Sequence, residues 1–373
     1  MIITHTVDIE VKPRATAQNP YAWDVPEEDG VFRPENHNGQ PVIKKIIEYL
    51  YFTSGVSGGI LCFVLLYVVL TQSKGPLKHY SRMLLLCCSS DIGFWFCDYT
   101  VQVRSKLTEG VFILTFEGPA KYLPYDFQIH AMCWYVCHLT LMHTIIPAQY
   151  FYRYYSVSRS MPMSKKQTMG LYIVSMVATI PMYYICYQAY RYSGSVKPGV
   201  NYAKYFYDEQ PIPPLIVGDV DDIQMKLYFI ASIIVVGGCY VLTLFLALIT
   251  LKKLDINNSK YTTKTKEMQH QLTLVLLFQT ILPVFTSVAP ILAICVPCFL
   301  YISTGPSAGI FLAIVSWVPV LNPLLTIIVI APYRRFVVNI FNRTKVNITS
   351  NNSDSQTNLY IKGVSLPAGI NSR

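Results

Sequence analysis

The sequence predicts an all-α membrane protein: a seven-helix bundle with its N-terminus outside the cell and its C-terminus in the cytoplasm. Three observations carry this. Of the 373 residues, 52% are hydrophobic and 14% charged, where a soluble chain carries about 25% charged. The apolar residues gather in seven blocks of about 20, the length a helix needs to cross roughly 30 Å of hydrocarbon. Lys and Arg concentrate in alternate connections, as basic residues do at the cytoplasmic ends of spans.

Residues 1–47 are polar, with an acidic patch at Asp24, Glu27, Glu28 and Asp29. They lack an apolar h-region, so no cleavable signal peptide is expected, and they read as a mostly disordered extracellular tail. Within lipid the backbone must satisfy its own hydrogen bonds, so each apolar block becomes a helix. Span 1 covers about 49–71, where Gly55, Gly58 and Gly59 let another helix approach closely. Spans 2 to 7 cover about 83–103, 127–151, 168–190, 227–251, 271–297 and 307–331. The bundle domain runs over 48–341. Its last stretch places Phe336, Val337, Ile340 and Phe341 on one face beside Arg334 and Arg335, the pattern of a short helix lying on an anionic inner leaflet. Residues 342–373, rich in Ser, Thr and Asn, read as a disordered cytoplasmic tail open to phosphorylation.

The orientation rests on Lys and Arg near the spans, 16 on one side against 10 on the other. The richer side faces the cytoplasm, although Lys44 and Lys45 beside span 1 oppose it. The sequons at Asn257, Asn342, Asn347 and Asn351 fall on that cytoplasmic side, where they are idle.

Polar side chains inside a bilayer are costly and face the bundle interior. Asp91 and Asp98 of span 2 are seven apart and share a helix face. Asp91 suits a structural or conformational hub, and Asp98, nearer the outer mouth, a hub or a ligand contact. Span 3 carries His130, His138, His143 and Gln149, which puts it in the middle of the bundle. Pro147, Pro181, Pro283, Pro290, Pro319 and Pro323 each remove a backbone bond and can kink a span, as suits a protein with two conformations.

Other classes are set aside. The net charge of +9 is spread over loops and no nucleic-acid motif occurs. The ten cysteines lie in or beside apolar blocks, with the spacing of neither a zinc site nor a disulfide framework. No H-E-x-x-H, G-x-S-x-G or G-x-x-x-x-G-K-[ST] is present, so no enzyme, metal site or cofactor is expected. Span 7 has no lysine for a retinal Schiff base.

Four stretches together cover most of 50–341. HYSRMLLLCCSSDIGF (79–94) resembles the start of span 2 in nematode serpentine chemoreceptors. QYFYRYYSV (149–157) resembles their span 3 end, with Tyr-Arg-Tyr in place of the Asp-Arg-Tyr of rhodopsin-like receptors. KTKEMQHQLTLVLLFQTILPVFTSVAPI (264–291) is similar to their span 6, and NPLLTIIVIAPYRRFV (322–337) to their span 7 and its exit. Gly118–Pro119 is similar to the delta class. The resemblance implies a seven-helix G-protein-coupled receptor on the plasma membrane, at a sensory cilium. It would bind an external small molecule or peptide and activate a heterotrimeric G protein. It implies Arg153 at the G-protein face, and Asn322 and Pro323 as the Asn-Pro of the span 7 switch, alongside Asp91. Two departures stand out. Ala120 follows Gly118–Pro119 where the delta class usually has Cys, and the outer loop 191–226 has no cysteine, so the usual disulfide cannot form. No Tyr follows Pro323 at the usual short spacing.

Depth and chemistry suggest a ligand pocket at Trp95, Asp98, Tyr99, His130, Trp134, Tyr228, Phe285 and Trp317. Arg153, between tyrosines, is expected to snorkel to the interface. Two other classes stay open: a ligand-gated channel or secondary transporter, which would be expected to show internal repeats, and a receptor-like protein that does not signal.

Overall fold

The computed structural model describes residues 40–73, 77–108, 110–159, 161–192, 214–257 and 263–340. Most of the two tails read from the sequence, the side chains of Lys264, Lys266 and Glu267, and Phe341 lie outside the residues described.

Six helical stretches are long and apolar enough to cross a membrane: Val42–Gln72, Tyr125–Arg159, Lys165–Arg191, Ile223–Leu254, His270–Phe299 and Ser307–Val329. They are spans 1 and 3 to 7. Leu77–Val101 completes the bundle as span 2, its apolarity diluted by Asp91 and Asp98. Span 3 is the central pillar, with every residue from Leu141 to Tyr150 buried. Its polarity and its position agree, since polar side chains are cheapest where other helices surround them.

Spans 1 and 2 meet through small residues. Trp95 lies in the notch left by Gly58 and Gly59, where a Cβ on Gly59 would come 2.6 Å from the Trp95 ring, and Tyr99 lies against Gly55. Trp95 Nε1 donates to the Gly55 carbonyl at 2.7 Å. Gly59→Leu is therefore expected to lower thermal stability by about 1–3 kcal/mol through overpacking. Fluorescent size-exclusion of heated, detergent-solubilised protein would read it.

The proline-bearing spans break at particular places. Span 4 is capped by Ser164, whose Oγ accepts from Gln167 N while Gln167 Oε1 accepts from Ser164 N. It divides into Lys165–Val177 and Ile180–Tyr192 just before Pro181. Span 6 runs as α-helix to Pro283, passes through a π-turn at Val284–Val288, and resumes at Ala289–Phe299. Span 7 breaks at Ser316–Trp317, ahead of Pro319. Pro147 and Pro323 sit inside continuous helix. After Ile330 a further helix covers 331–340. Its Tyr333 is fully buried and pairs with Ser73 across 2.8 Å, and Phe336 packs near Tyr67.

One end of the bundle carries a small sheet that helical periodicity does not announce. Span 2 stops at Val101, short of the expected 103, because Gln102 turns left-handed (φ 43°). β1 (Val103–Thr108) and β2 (Val111–Phe116) form an antiparallel hairpin, and β3 (Ile216–Asp219) pairs antiparallel with β2. Gly110 supplies the turn at φ 79°, where a side chain would meet Tyr301 and Val220. The sheet packs down on the helices. Tyr51 donates to Val103 O at 2.6 Å, Leu107 bridges to Gly305, and Arg104 pairs with Glu117 at 2.9 Å. On the exposed rim Tyr301 donates to the Asp221 carboxylate, and that bond raises the phenol above its ordinary pKa.

Candidate functional site

Val136, Leu139, Thr140 and His143 recur at three and four residues, so span 3 presents them on one face. Span 5 sets Tyr228, Phe229, Ser232, Ile233, Val236, Gly237 and Tyr240 opposite, and span 6 adds Val288, Ile291, Leu292 and Cys295. Together they bound a cavity of about 260 Å³. Its wall is mostly apolar. Thr140 and Ser232 spend their hydroxyls on their own helix carbonyls, at 2.8 Å each. His143 and Tyr240 are different. His143 Nε2 lies 2.9 Å from Ser287 Oγ on span 6, while His143 Nδ1 and the Tyr240 hydroxyl are buried with no hydrogen-bond partner among the described residues. Their rings are 6.0 Å apart. A buried polar atom left unpaired costs about 1–3 kcal/mol, so this corner favours a guest bearing a hydrogen-bonding group.

The π-turn makes the His143–Ser287 contact. One extra residue per turn rotates the register, so that Thr286 and Ser287 face inward and Phe285 outward, 69% exposed.

Buried polar groups join spans 2, 3, 6 and 7 along the bundle, from Asp98 just below the sheet to Arg153 towards the other end. Asn322 Nδ2 donates to Asp91 at 3.2 Å and Ser316 Oγ to Asp98 at 3.0 Å, so both carboxyls of span 2 hold span 7. Pro323 is buried beside Asn322. Gln149 donates to Cys87 Sγ, and Gln279 to Thr326. Arg153 donates to Tyr80 at 2.9 Å and to Thr273 at 3.2 Å, and its guanidinium lies over the Tyr80 ring. It is only 2% exposed. The snorkelling expected from its neighbours is therefore corrected. Hydroxyls on spans 2 and 6 satisfy the guanidinium inside the bundle, so it has no need to reach for water.

The eight pocket residues suggested by depth take different places in the bundle. Of them only Tyr228 lines the cavity. Trp95 fills the glycine notch and Tyr99 stacks on it. Asp98 is engaged by Ser316, at the span 7 break that Trp317 follows. His130 lies 2.6 Å from the Tyr183 hydroxyl and stacks on Tyr187 of span 4. Trp134 is 56% exposed on the outer face of the bundle. His143 was visible as part of a polar span 3, but Ser287 was hidden by the π-turn. Tyr240 was hidden by the even apolarity of span 5.

Compared with known proteins, residues 47–339 match the family model described as Serpentine type 7TM GPCR chemoreceptor Srd. The chain belongs to that family. It is 23% identical over 333 residues to Serpentine receptor class delta-1 of Caenorhabditis elegans, covering 78% of this chain and 79% of the relative. In three dimensions it is similar to squid rhodopsin, with a TM-score of 0.54 at 9% identity, over 86% of this chain and 92% of that one. This Srd chain is thus a multi-pass membrane protein of a chemoreceptor family with a rhodopsin-like helical fold, and the family is one of receptors rather than enzymes. All ten cysteines are free. The β2–β3 pairing ties the segment ahead of span 5 to the body by backbone hydrogen bonds instead.

Proposed function

We propose that this Srd chain is a chemosensory receptor of the plasma membrane, placed at a sensory cilium, with the sheet end outside. It takes a small external ligand in the cavity between spans 3, 5 and 6, and activates a heterotrimeric G protein at the opposite end. The observation that carries this is the double hold on span 6. Ser287 meets His143 at the cavity, and Thr273 meets Arg153 near the other end. Between them lies the Pro283 π-turn, a local weakening of the backbone ladder about which a helix can swing.

A ligand group that bonds to His143 or Tyr240 competes with Ser287 for the imidazole. That changes what span 6 gains by staying docked, and differential binding of this kind is what moves a two-state equilibrium. Swinging span 6 about the π-turn separates Thr273 from Arg153 and opens a cleft among spans 2, 3 and 6. Asp91 with Asn322, and Asp98 with Ser316, keep span 7 on span 2 while span 6 moves. The helix at 331–340, with Arg334 and Arg335 exposed, then lies along the inner leaflet.

The test is ligand-dependent nucleotide exchange on a heterotrimeric G protein. Exchange is expected in cells expressing the chain and challenged with an odorant panel. Arg153→Ala releases span 6 but removes the guanidinium that the opened cleft would present to the G protein, so exchange is expected to be lost in it at normal surface level. Ligand-evoked current in cells without functional G proteins would favour a channel and overturn the proposal.

A further inference from the structure

We propose that ligands reach the cavity sideways from the bilayer, through a portal between spans 5 and 6. They are then lipid-soluble molecules of roughly ten non-hydrogen atoms with one hydrogen-bonding group, since a 150 Å³ apolar cavity holds benzene and this one measures about 260 Å³. The inference rests on the cavity being the ligand site.

The sheet end is closed above the cavity. Met225, Phe229, Ile294 and Cys298 are buried there beneath the sheet, in one apolar cluster with Phe112 and Val220. Cys298 donates to the Gly110 carbonyl at the hairpin turn, and Phe229 meets Phe299 edge-on at 5.4 Å. A ligand coming from that side would have to unpack this layer and the sheet with it.

The flank is different. Span 5 packs closely on spans 3 and 4, with no comparably extensive packing against span 6 among the described residues. Two residues that line the cavity also face outward: Ile233 on span 5 is 56% exposed and Leu292 on span 6 is 44% exposed. One turn along span 5 from Ile233, Gly237 also lines the cavity, and a Cβ added there meets nothing within 4 Å. In a membrane this gap opens onto acyl chains, which admit apolar solutes and exclude ions. The ligand's polar group loses water on entering lipid and regains partners only at His143 and Tyr240.

Two adjacent glycines make the test. Gly238 is equally open but does not line the cavity. The full chain in phosphatidylcholine nanodiscs would be exposed to a diazirine-bearing aliphatic ketone of about ten carbons. Photolabelling of peptides from spans 3, 5 and 6 would be followed against time by mass spectrometry. In the wild type the cavity peptides are expected to be labelled. Gly237→Phe is expected to slow that labelling by about tenfold, with Gly238→Phe matching the wild type. If Gly237→Phe is not monodisperse, Leu292→Trp takes its place at the lip. Equal rates in the wild type and the plugged variant overturn the portal and leave the cavity as ligand site. Equal slowing in both glycine variants overturns the portal as well. No labelling of cavity peptides in the wild type overturns the cavity as ligand site and the portal together.

Discussion

Thr273→Val is expected to raise ligand-independent nucleotide exchange by about tenfold. The reasoning starts from Arg153, whose guanidinium is buried and donates to Tyr80 on span 2 and Thr273 on span 6. A hydrogen bond from a charged donor contributes about 1.5–3 kcal/mol. Valine keeps the shape of threonine and removes the hydroxyl, so the docked state of span 6 loses this bond while little packing changes. If the bond exists only when span 6 is docked, the docked-to-open ratio falls by about tenfold or more, since each 1.4 kcal/mol is a factor of ten. Thr273→Ser keeps the hydroxyl and is expected to stay near wild type. A Thr273→Val receptor with normal surface level and unchanged basal exchange would show that the contact is not a latch.

His143→Leu carries the second large effect. The side chain is 2% exposed, touches Ser287 and faces the cavity. Leucine removes the bond to span 6 and half of the polar corner that a ligand would engage. For a ligand that bonds to the imidazole, the loss is expected to be about 1–3 kcal/mol, a rise of about 5- to 150-fold in the half-maximal concentration. Tyr240→Phe is expected to act in the same direction, because it removes the other half of the polar corner. Gly238→Ala, outside the cavity, serves as the control. Dose–response curves of G-protein activation with one active odorant would separate these cases. Unchanged potency in both His143→Leu and Tyr240→Phe would move the ligand site elsewhere.

The helices were legible because membrane insertion depends on the sum of apolarity along about 20 residues, a property no distant contact alters. The polar spans were legible for the same reason. Asp91, Asp98 and the histidines of span 3 must avoid lipid, so their presence in apolar blocks already points inward. The pocket was not legible in this way. Depth and chemistry put Phe285 inside, but a π-turn, with its one extra residue, turns it outward and brings Ser287 in its place. Trp95 looked like a ligand contact, yet two glycines one helix away make room for it as packing. The sheet escaped because β1, β2 and β3 are short and the β2–β3 pairing joins segments about a hundred residues apart.

The sequence by itself determined a seven-span membrane protein, an interior marked by two carboxyls and a polar third span, and the resemblance to serpentine chemoreceptors that the family match bears out. Each follows from composition and local order. The tertiary structure alone decided that Arg153 is latched to Tyr80 and Thr273 rather than reaching for the interface. It alone brought His143 and Tyr240 to one cavity with Ser287 against the imidazole, closed the sheet end and left the flank between spans 5 and 6 open. Those outcomes depend on the rotation of each helix about its axis. A single extra residue in a turn, or a glycine on a neighbouring helix, changes that rotation without changing the apolarity that made the helix readable.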